Sequence, residues 1–303
     1  MKIECRAPLR IDLAGGWSDI PPFARREGGA VLNMAITQYV RGDLRRTHGD
    51  RDQAPDGADT ESLHISYGLD LPAGSGLGTS AALSVTWLAL VHANMGHLPD
   101  RPTLAREACG LGGLLGILGG KQDEYASAVG GVSLMRFHGD EVEVEPLALA
   151  ASTRAALEAR FVLCYSGKAR LSGDIHDRVW GAYERGDAGV GRTLGNLRDL
   201  AGAMADALAG GDFARAADLM NQNWQAQKDL HPSITNSTVD GLFDIARGAG
   251  ARAGKACGAG GGGCLVFLAD PEAVPAVRHA LRDAGARVID AGIDWEGVVV
   301  SHG

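Results

Sequence analysis

The sequence predicts an α+β fold, and three observations lead to it. Strand-like runs dominate up to Val144. Amphipathic helical patterns dominate after it, over 192–209, 213–230 and 238–249, with a few short apolar strands around them. No regular alternation of strand and helix, the mark of a parallel sheet, runs through the chain.

The elements follow in order. Ile11 and Leu13 read as the end of a strand that Gly15-Gly16 closes, before a polar tip carrying Trp17 and Asp19. The segment Thr47–Glu61 is polar and rich in Gly, Pro and Asp, which predicts a surface loop between strands. A strand over His64–Leu71 then leads into a glycine loop, Pro72 to Ser80. Ala81–Val91 reads as a buried helix that Thr79 and Ser80 can cap. Gly119-Gly120 turns the chain into Lys121-Gln122-Asp123-Glu124-Tyr125. A domain boundary near 150–158 divides the chain into 1–153 and 154–303. Phe161–Tyr165 is a strand, and His231-Pro232 ends a helix in a turn. Ala253–Gly263 forms a second glycine loop that leads into an apolar strand, Cys264–Leu268. Pro275–Ala284 is a helix and Val298–Val300 a last strand.

Composition excludes several classes of function. The 303 residues are 45% hydrophobic, enough for a sizeable core, but only 5% aromatic, so Ala, Leu, Val and Gly must fill it. A net charge of −8 with no long basic block argues against nucleic acid or anionic membrane as partners. Five widely spaced cysteines without a CxxC pair fit neither a disulfide framework nor a zinc site, and they suit a reducing cytoplasm. No signal-peptide core opens the chain, and no run of ~18 apolar residues occurs to span a membrane. The nine histidines show neither HxxxH nor HExxH spacing, and no GxSxG or GxxxxGK[ST] pattern occurs.

Four segments carry chemistry. In the first glycine loop, Gly74, Gly76 and Gly78 let backbone approach a ligand, and the following helix N-terminus presents unpaired N–H groups to an anion. Phosphate is the natural ligand, with the Ser80 hydroxyl available to a Mg²⁺ ion; a tight structural turn is the alternative. Gly76 to Ala81 also fits the GxGxxA dinucleotide pattern, but its acid partner, Asp100, sits in a Pro-flanked loop instead of at a strand end. The second loop, Gly258 to Gly263, precedes a strand, so it faces substrate or phosphate or else forms a flexible hairpin. In the third segment, Arg10 to Asp19, a carboxylate beside the Trp17 ring suits a polyol; an ordinary turn with a capping Asp is the plainer reading. In the fourth, Asp123 is either a solvated helix-start acid or a base for a substrate hydroxyl.

Together and in this order, these segments resemble the GHMP kinase superfamily, with its galactokinases, homoserine kinases, mevalonate kinases and phosphomevalonate kinases. Arg10–Asp19 is similar to the first family motif, Pro72–Ala82 to the phosphate loop PxGxGLGSSA, and Lys255–Gly263 to the third motif. Within it, LAGGWSDIPPF and GKQDEY most resemble the L-fucokinase and D-glycero-D-manno-heptose 7-phosphate kinase branch. The resemblance implies an N-terminal mixed β/α domain with a left-handed crossover, a C-terminal ferredoxin-like domain, and ATP between them. By it, Asp123 is the catalytic acid–base group and Arg10 steadies it. Asp19, Trp17, Gly16, Gly260 and Gly261 serve the sugar. Pro72, Gly74, Ser75, Gly76, Leu77, Gly78, Thr79 and Ser80 hold the nucleotide, and Ser80 ligates Mg²⁺.

One departure stands out. Relatives place a Mg²⁺-binding Glu roughly three helical turns before the catalytic Asp. Leu111, Gly112 and Gly113 occupy that region here, leaving Glu107 or Glu124 to substitute. The expectation is an ATP- and Mg²⁺-dependent kinase, monomeric or homodimeric, acting on a sugar or sugar-phosphate hydroxyl, the anomeric one. Alternatives are a catalytically silent sugar- or nucleotide-binding regulator and a kinase of a non-sugar alcohol. A sugar phosphate would call for cations, for which Lys168, Arg170, Arg178 and Lys228 are candidates.

Overall fold

The computed structural model describes residues 2–48, 61–72, 74–114, 119–167 and 173–303. Two sheets organise them, both antiparallel in every described pairing. The first runs β10(Val299–His302), β1(Lys2–Ala14), β2(Gly29–His48), β4(Val132–His138), β5(Glu141–Pro146), and β3(Glu61–Leu69) also pairs with β2. Strand β2 is long enough to serve two partners on one edge: Gly29 to Met34 pair with β4, and Val40 to His48 pair with β3. Between those stretches the β1–β2 register slips beside Pro8, which has no N–H to donate to the ladder.

The burial of β1 shows where the site will form. Its first residues alternate, with Ile3, Cys5 and Ala7 inward and Glu4 outward. From Ala7 to Ala14 every residue is buried, because the sheet is covered on both faces there. Helices α2(Thr79–Asn94) and α4(Gln122–Val129) pack on β1, with α3(Arg101–Leu114) behind them, and α7(Ala188–Ala209) packs on β1 and β2.

The second sheet has the order β7(Ala251–Ala256), β8(Cys264–Ala269), β6(Phe161–Tyr165), β9(Arg287–Ile289). With α10(Val274–Asp283) between β8 and β9, this is the strand order of a ferredoxin-like split unit. Both central strands are apolar runs buried along almost their whole length. Helices α6(Gly173–Glu184), α8(Phe213–Leu230) and α9(Ser237–Gly248) complete this half, and the short helices α1(Pro21–Glu27) and α5(Ala151–Glu158) follow β1 and β5. Helix α8 runs beside α7 and leads into a 3-10 turn at Pro232–Ile234, the predicted helix-ending turn. The α+β class therefore holds.

Four sequence expectations need correction. The last strand, expected over Val298–Val300, runs over Val299–His302 as β10 and pairs with β1. The second glycine loop is shorter than expected, because Ala251–Ala256 is strand and the loop starts at Cys257. The expected loop 47–61 loses its ends to β2 and β3, and residues 49–60 lie outside the described residues. Finally, Thr79 and Ser80 do not cap α2: Gly78 holds the N-cap position and no side chain bonds there.

Candidate active site

One cleft, about 260 Å³ in volume, collects all four chemical segments. Its walls include Arg10, Trp17, Asp19, the first glycine loop, Gly120 to Glu124 except Lys121, and the second glycine loop from Cys257. Arg10 holds these parts together. It is buried on β1, and its Nε donates to Asp123 Oδ1 at 2.6 Å. Its Nη1 donates to the carbonyls of Gly76 and Cys257, both at 2.8 Å. One guanidinium thus fixes the Asp123 carboxylate, the first glycine loop and the start of the second. Burial works against its charge, but the charge and hydrogen bond of Asp123 outweigh that and raise its pKa.

The two glycine loops touch backbone to backbone. Cys264 N donates to Ser75 O at 2.7 Å, and a Cβ on Gly263 would lie 2.7 Å from that same oxygen. Gly78, at φ 76, takes a left-handed conformation that other residues resist, and a Cβ there would press on the Asp123 carboxylate at 3.2 Å. The consequence is chemical. The uncapped N–H groups at the start of α2 open into the cleft beside Asp123, which suits a phosphate. The dinucleotide alternative loses its acid, since exposed Asp100 caps α3 through Thr103 N.

The remaining predicted residues separate by position. Gly74, Gly76, Gly78, Thr79 and Ser80 line the cleft. Ser75 and Leu77 turn into the protein instead and are buried, and Pro72 is exposed off the cleft. Gly16, Trp17, Asp19 and Gly260 line it too, whereas Gly261 is tied by its N–H to Ile234 O at 2.7 Å and does not. Trp17 and Asp19, expected on a polar tip, are 5% and 3% exposed.

Several participants carried no recognised role in the sequence. Lys255, fully buried on β7, donates to Asp12 O and pairs with Asp12 Oδ2, both at 2.7 Å. Gln122 approaches Asp19 with its backbone and side-chain N–H groups, both at a long 3.4 Å, and accepts from Asn33 at 2.9 Å. Gln227 and His176 reach the cleft from α8 and α6. The KACG and RIDL segments signalled Lys255 and Asp12 only as parts of motifs.

The carboxylates crowd one another. Burial, then the charge of Asp123, pushes Asp19 up to about 7. The same two causes push Glu124 to about 8, and its Oε2 is buried without a partner. Glu107 is engaged elsewhere, with His92 Nε2 at 2.6 Å, and does not line the cleft. Of the basic candidates, Arg178 and Lys228 do not line it either, and Lys168 and Arg170 lie outside the described residues. Among the described residues, no group of three or more His, Cys, Asp or Glu is placed to hold a metal ion. Nor is any helix among them long and apolar enough to cross a membrane.

A cleft in which glycine-loop amides face an arginine-held aspartate suits phosphoryl transfer. Comparison with known proteins agrees. The profile of the GHMP kinases N terminal domain matches residues 38–131, and that of the GHMP kinases C terminal domain matches 204–287. The chain belongs to the GHMP kinases, which use ATP as phosphate donor. It is 29% identical to the D-glycero-alpha-D-manno-heptose 7-phosphate kinase of Campylobacter jejuni, over 98% of each chain. With the bifunctional fucokinase/GDP-fucose pyrophosphorylase of Arabidopsis thaliana it shares 28% identity over 93% of its own length, but it spans only 31% of that protein. The crystal structure of a D-glycero-D-manno-heptose 1-phosphate kinase from Bacteroides thetaiotaomicron superposes with a TM-score of 0.78 at 26% identity, covering 99% of both chains. A Lactococcus lactis galactokinase complexed with galactose shares the fold, with a TM-score of 0.76 at 17% identity over 99% of this chain and 95% of that one.

Proposed function

We propose that this kinase transfers the γ-phosphoryl group of ATP to the anomeric hydroxyl of a sugar or sugar phosphate bound between Asp19 and Asp123. The three-way hold of Arg10 on Asp123, Gly76 and Cys257 is the observation that carries this reading. It brings the Asp123 carboxylate and both loops to one point. The relatives named for heptose phosphate and fucose support a sugar as acceptor.

The chemistry then follows from the residues. The sugar oxygen forms a bond to the γ-phosphorus while the bond to the bridging oxygen of ADP breaks. Asp123 accepts or orients the hydroxyl proton, and Arg10 keeps that carboxylate aimed. Amides of the first loop and the α2 N-terminus meet the charge spread over the transferring oxygens. Asp19 accepts hydrogen bonds from sugar hydroxyls, and Trp17 packs against the C–H face of the ring. Gly16 and Gly260 let backbone close on the same molecule, and the first glycine loop holds the nucleotide.

The residues also fit a nucleotide-borne Mg²⁺. Such an ion takes one or two carboxylates plus phosphates and waters, so it needs no three-ligand protein cluster. The partnerless Glu124 Oε2 and the exposed Ser80, both cleft residues, are the groups that would hold it. When bound, the ion supplies charge neutralisation at the phosphates. Glu124 thereby replaces the acid missing at Gly112.

In the division proposed for the chain, 1–153 carries the nucleotide and 154–303 closes the cleft, with β10 strapped back onto the first sheet. A reducing cytoplasm suits the five free cysteines. The proposed partners are ATP and the sugar, without nucleic acid or membrane, for a monomer or homodimer. ADP release measured across L-fucose, D-glucuronate, D-glycero-D-manno-heptose 7-phosphate, galactose and mevalonate tests the reading. Turnover with a sugar that Asp123→Asn lowers by ~10²–10⁴ supports it. No sugar turnover, or mevalonate outpacing every sugar, refutes it.

A further inference from the structure

Beside the predicted Trp17, the cleft has an aromatic wall that carries unpaired ring nitrogens. Trp17 stands at φ 83, the one described non-glycine residue with positive φ. For a bulky residue this conformation is strained, and strain of this kind persists where the surroundings hold it. The Trp17 ring is 5% exposed, yet its Nε1–H has no partner. His176 meets that ring edge-on at 4.8 Å and 89°. Behind it, Trp180 stacks on His176 at 5.4 Å and 7°, and the Trp180 Nε1–H is also unpartnered.

Three aromatic groups therefore brace one another, and two of them, Trp17 and His176, line the cleft. Neither ring nitrogen of His176 has a hydrogen-bond partner among the described residues. Burial lowers its pKa against the opposing pull of Asp123 and Asp177, which favours the neutral ring with one donor and one acceptor. Buried polar groups usually find partners within a protein. Here a stacked histidine keeps its ring nitrogens unpaired in the cleft that Trp17 also lines, and Trp17 lies two residues along the chain from Asp19.

We propose that His176 is a specificity-determining residue that hydrogen-bonds a ring hydroxyl of the acceptor sugar, with the Trp17 ring held against its edge. This rests on the sugar reading above. Trp180 is a positioning residue: stacked on the imidazole, it fixes the ring plane. A polyol suits the wall, because its C–H faces pack on aromatic rings while its hydroxyls meet one acceptor and one donor.

The test compares His176→Phe, which keeps a ring for the stack but removes both nitrogens, with His176→Asn, which restores a donor and an acceptor. With the sugar from the panel that turns over fastest, His176→Phe raises the sugar KM roughly tenfold, the effect of one or two lost hydrogen bonds, and leaves the ATP KM unchanged. His176→Asn recovers part of the loss. Tryptophan emission titrated with the same sugar, without nucleotide, shows the same displacement in half-saturation. A sugar KM for His176→Phe within twofold of wild type overturns the proposal while leaving the kinase reading intact. If no sugar turns over in the wild type, both fall together. Should the variants not fold, ring-nitrogen resonances of histidine-labelled wild type decide: the His176 signal shifts on sugar addition, and an unmoved signal overturns the proposal.

Discussion

Replacing Asp19 with Asn should make the protein more stable and less able to hold its sugar, and the stability gain should depend on pH. The Asp19 carboxyl is 3% exposed and lies near Asp123, which together raise it from 3.8 to about 7. The folded state therefore binds a proton that the unfolded chain has released across roughly pH 4 to 7. Stability falls with rising pH wherever the folded state holds more protons, so this group lowers stability through that window. At about 1.4 kcal/mol per pH unit, the loss between pH 5 and pH 8 amounts to about 2.5 kcal/mol. Asn carries no such proton. At pH 8 Asp19→Asn should melt roughly 5 °C above wild type, relative to their difference at pH 5, taking about 2 °C per kcal/mol for a chain of this size. The assay is a thermal melt of both proteins at pH 5, 6, 7 and 8, paired with sugar KM values. A melting difference that stays constant from pH 5 to pH 8 would refute the reasoning, because it would mean that the buried carboxyl titrates as in the unfolded chain. In wild type, sugar affinity should rise as Asp19 ionises through about pH 7.

Other outcomes follow from single contacts. A Cβ on Gly120 would collide with the Asp19 carboxylate, so Gly120→Ala should raise the sugar KM about tenfold and leave the ATP KM within twofold; equal changes in both would refute this. Arg10→Lys keeps the charge but cannot reach three acceptors at once, so kcat should fall at least roughly 100-fold and the urea midpoint should drop by an amount corresponding to about 2–4 kcal/mol. Glu124→Gln should raise the Mg²⁺ concentration for half-maximal rate several-fold, and an unchanged Mg²⁺ titration would remove Glu124 from the metal's shell.

What could be read from the sequence divides by distance along the chain. Strand β6 and helix α8 fall at the bounds their patterns predict, Phe161–Tyr165 and 213–230, because Gly, Asp and Pro punctuate short stretches with a clear apolar period. The glycine loops were legible as close-approach backbone, yet not which residues face a ligand: Ser75 and Leu77 turn inward although they alternate with glycines that do not. Local pattern fails altogether for pairs such as Lys255 and Asp12, which lie 243 positions apart. Arg10 and Asp123 are 113 positions apart, and only the family resemblance joined them in advance. Nothing singled out His176, since a lone histidine on a helix carries no period of its own and becomes informative only when two indoles close on it.

Those long-range pairs also explain why the site is built across both halves. A buried ion pair such as Lys255–Asp12 is close to neutral for stability against a well-packed apolar pair, because desolvation offsets most of the attraction. Its placement is the informative part. Lys255 lies two residues before the carbonyl of Cys257 that Arg10 grips, and Asp12 lies two residues after Arg10 on β1. Residues two apart on a strand share a face, so Arg10 and Asp12 on β1 reach the same junction, Asp12 to Lys255 on β7 and Arg10 to the first residue of the loop beyond it. A single contact would leave β7 free to pivot against β1. Two contacts set both position and angle, and the second glycine loop follows from the end of β7 with its backbone already against Gly76. Geometry at this junction is then worth more to phosphoryl transfer than to folding, since a displacement of ~1 Å between loop and carboxylate can lower the rate by 10².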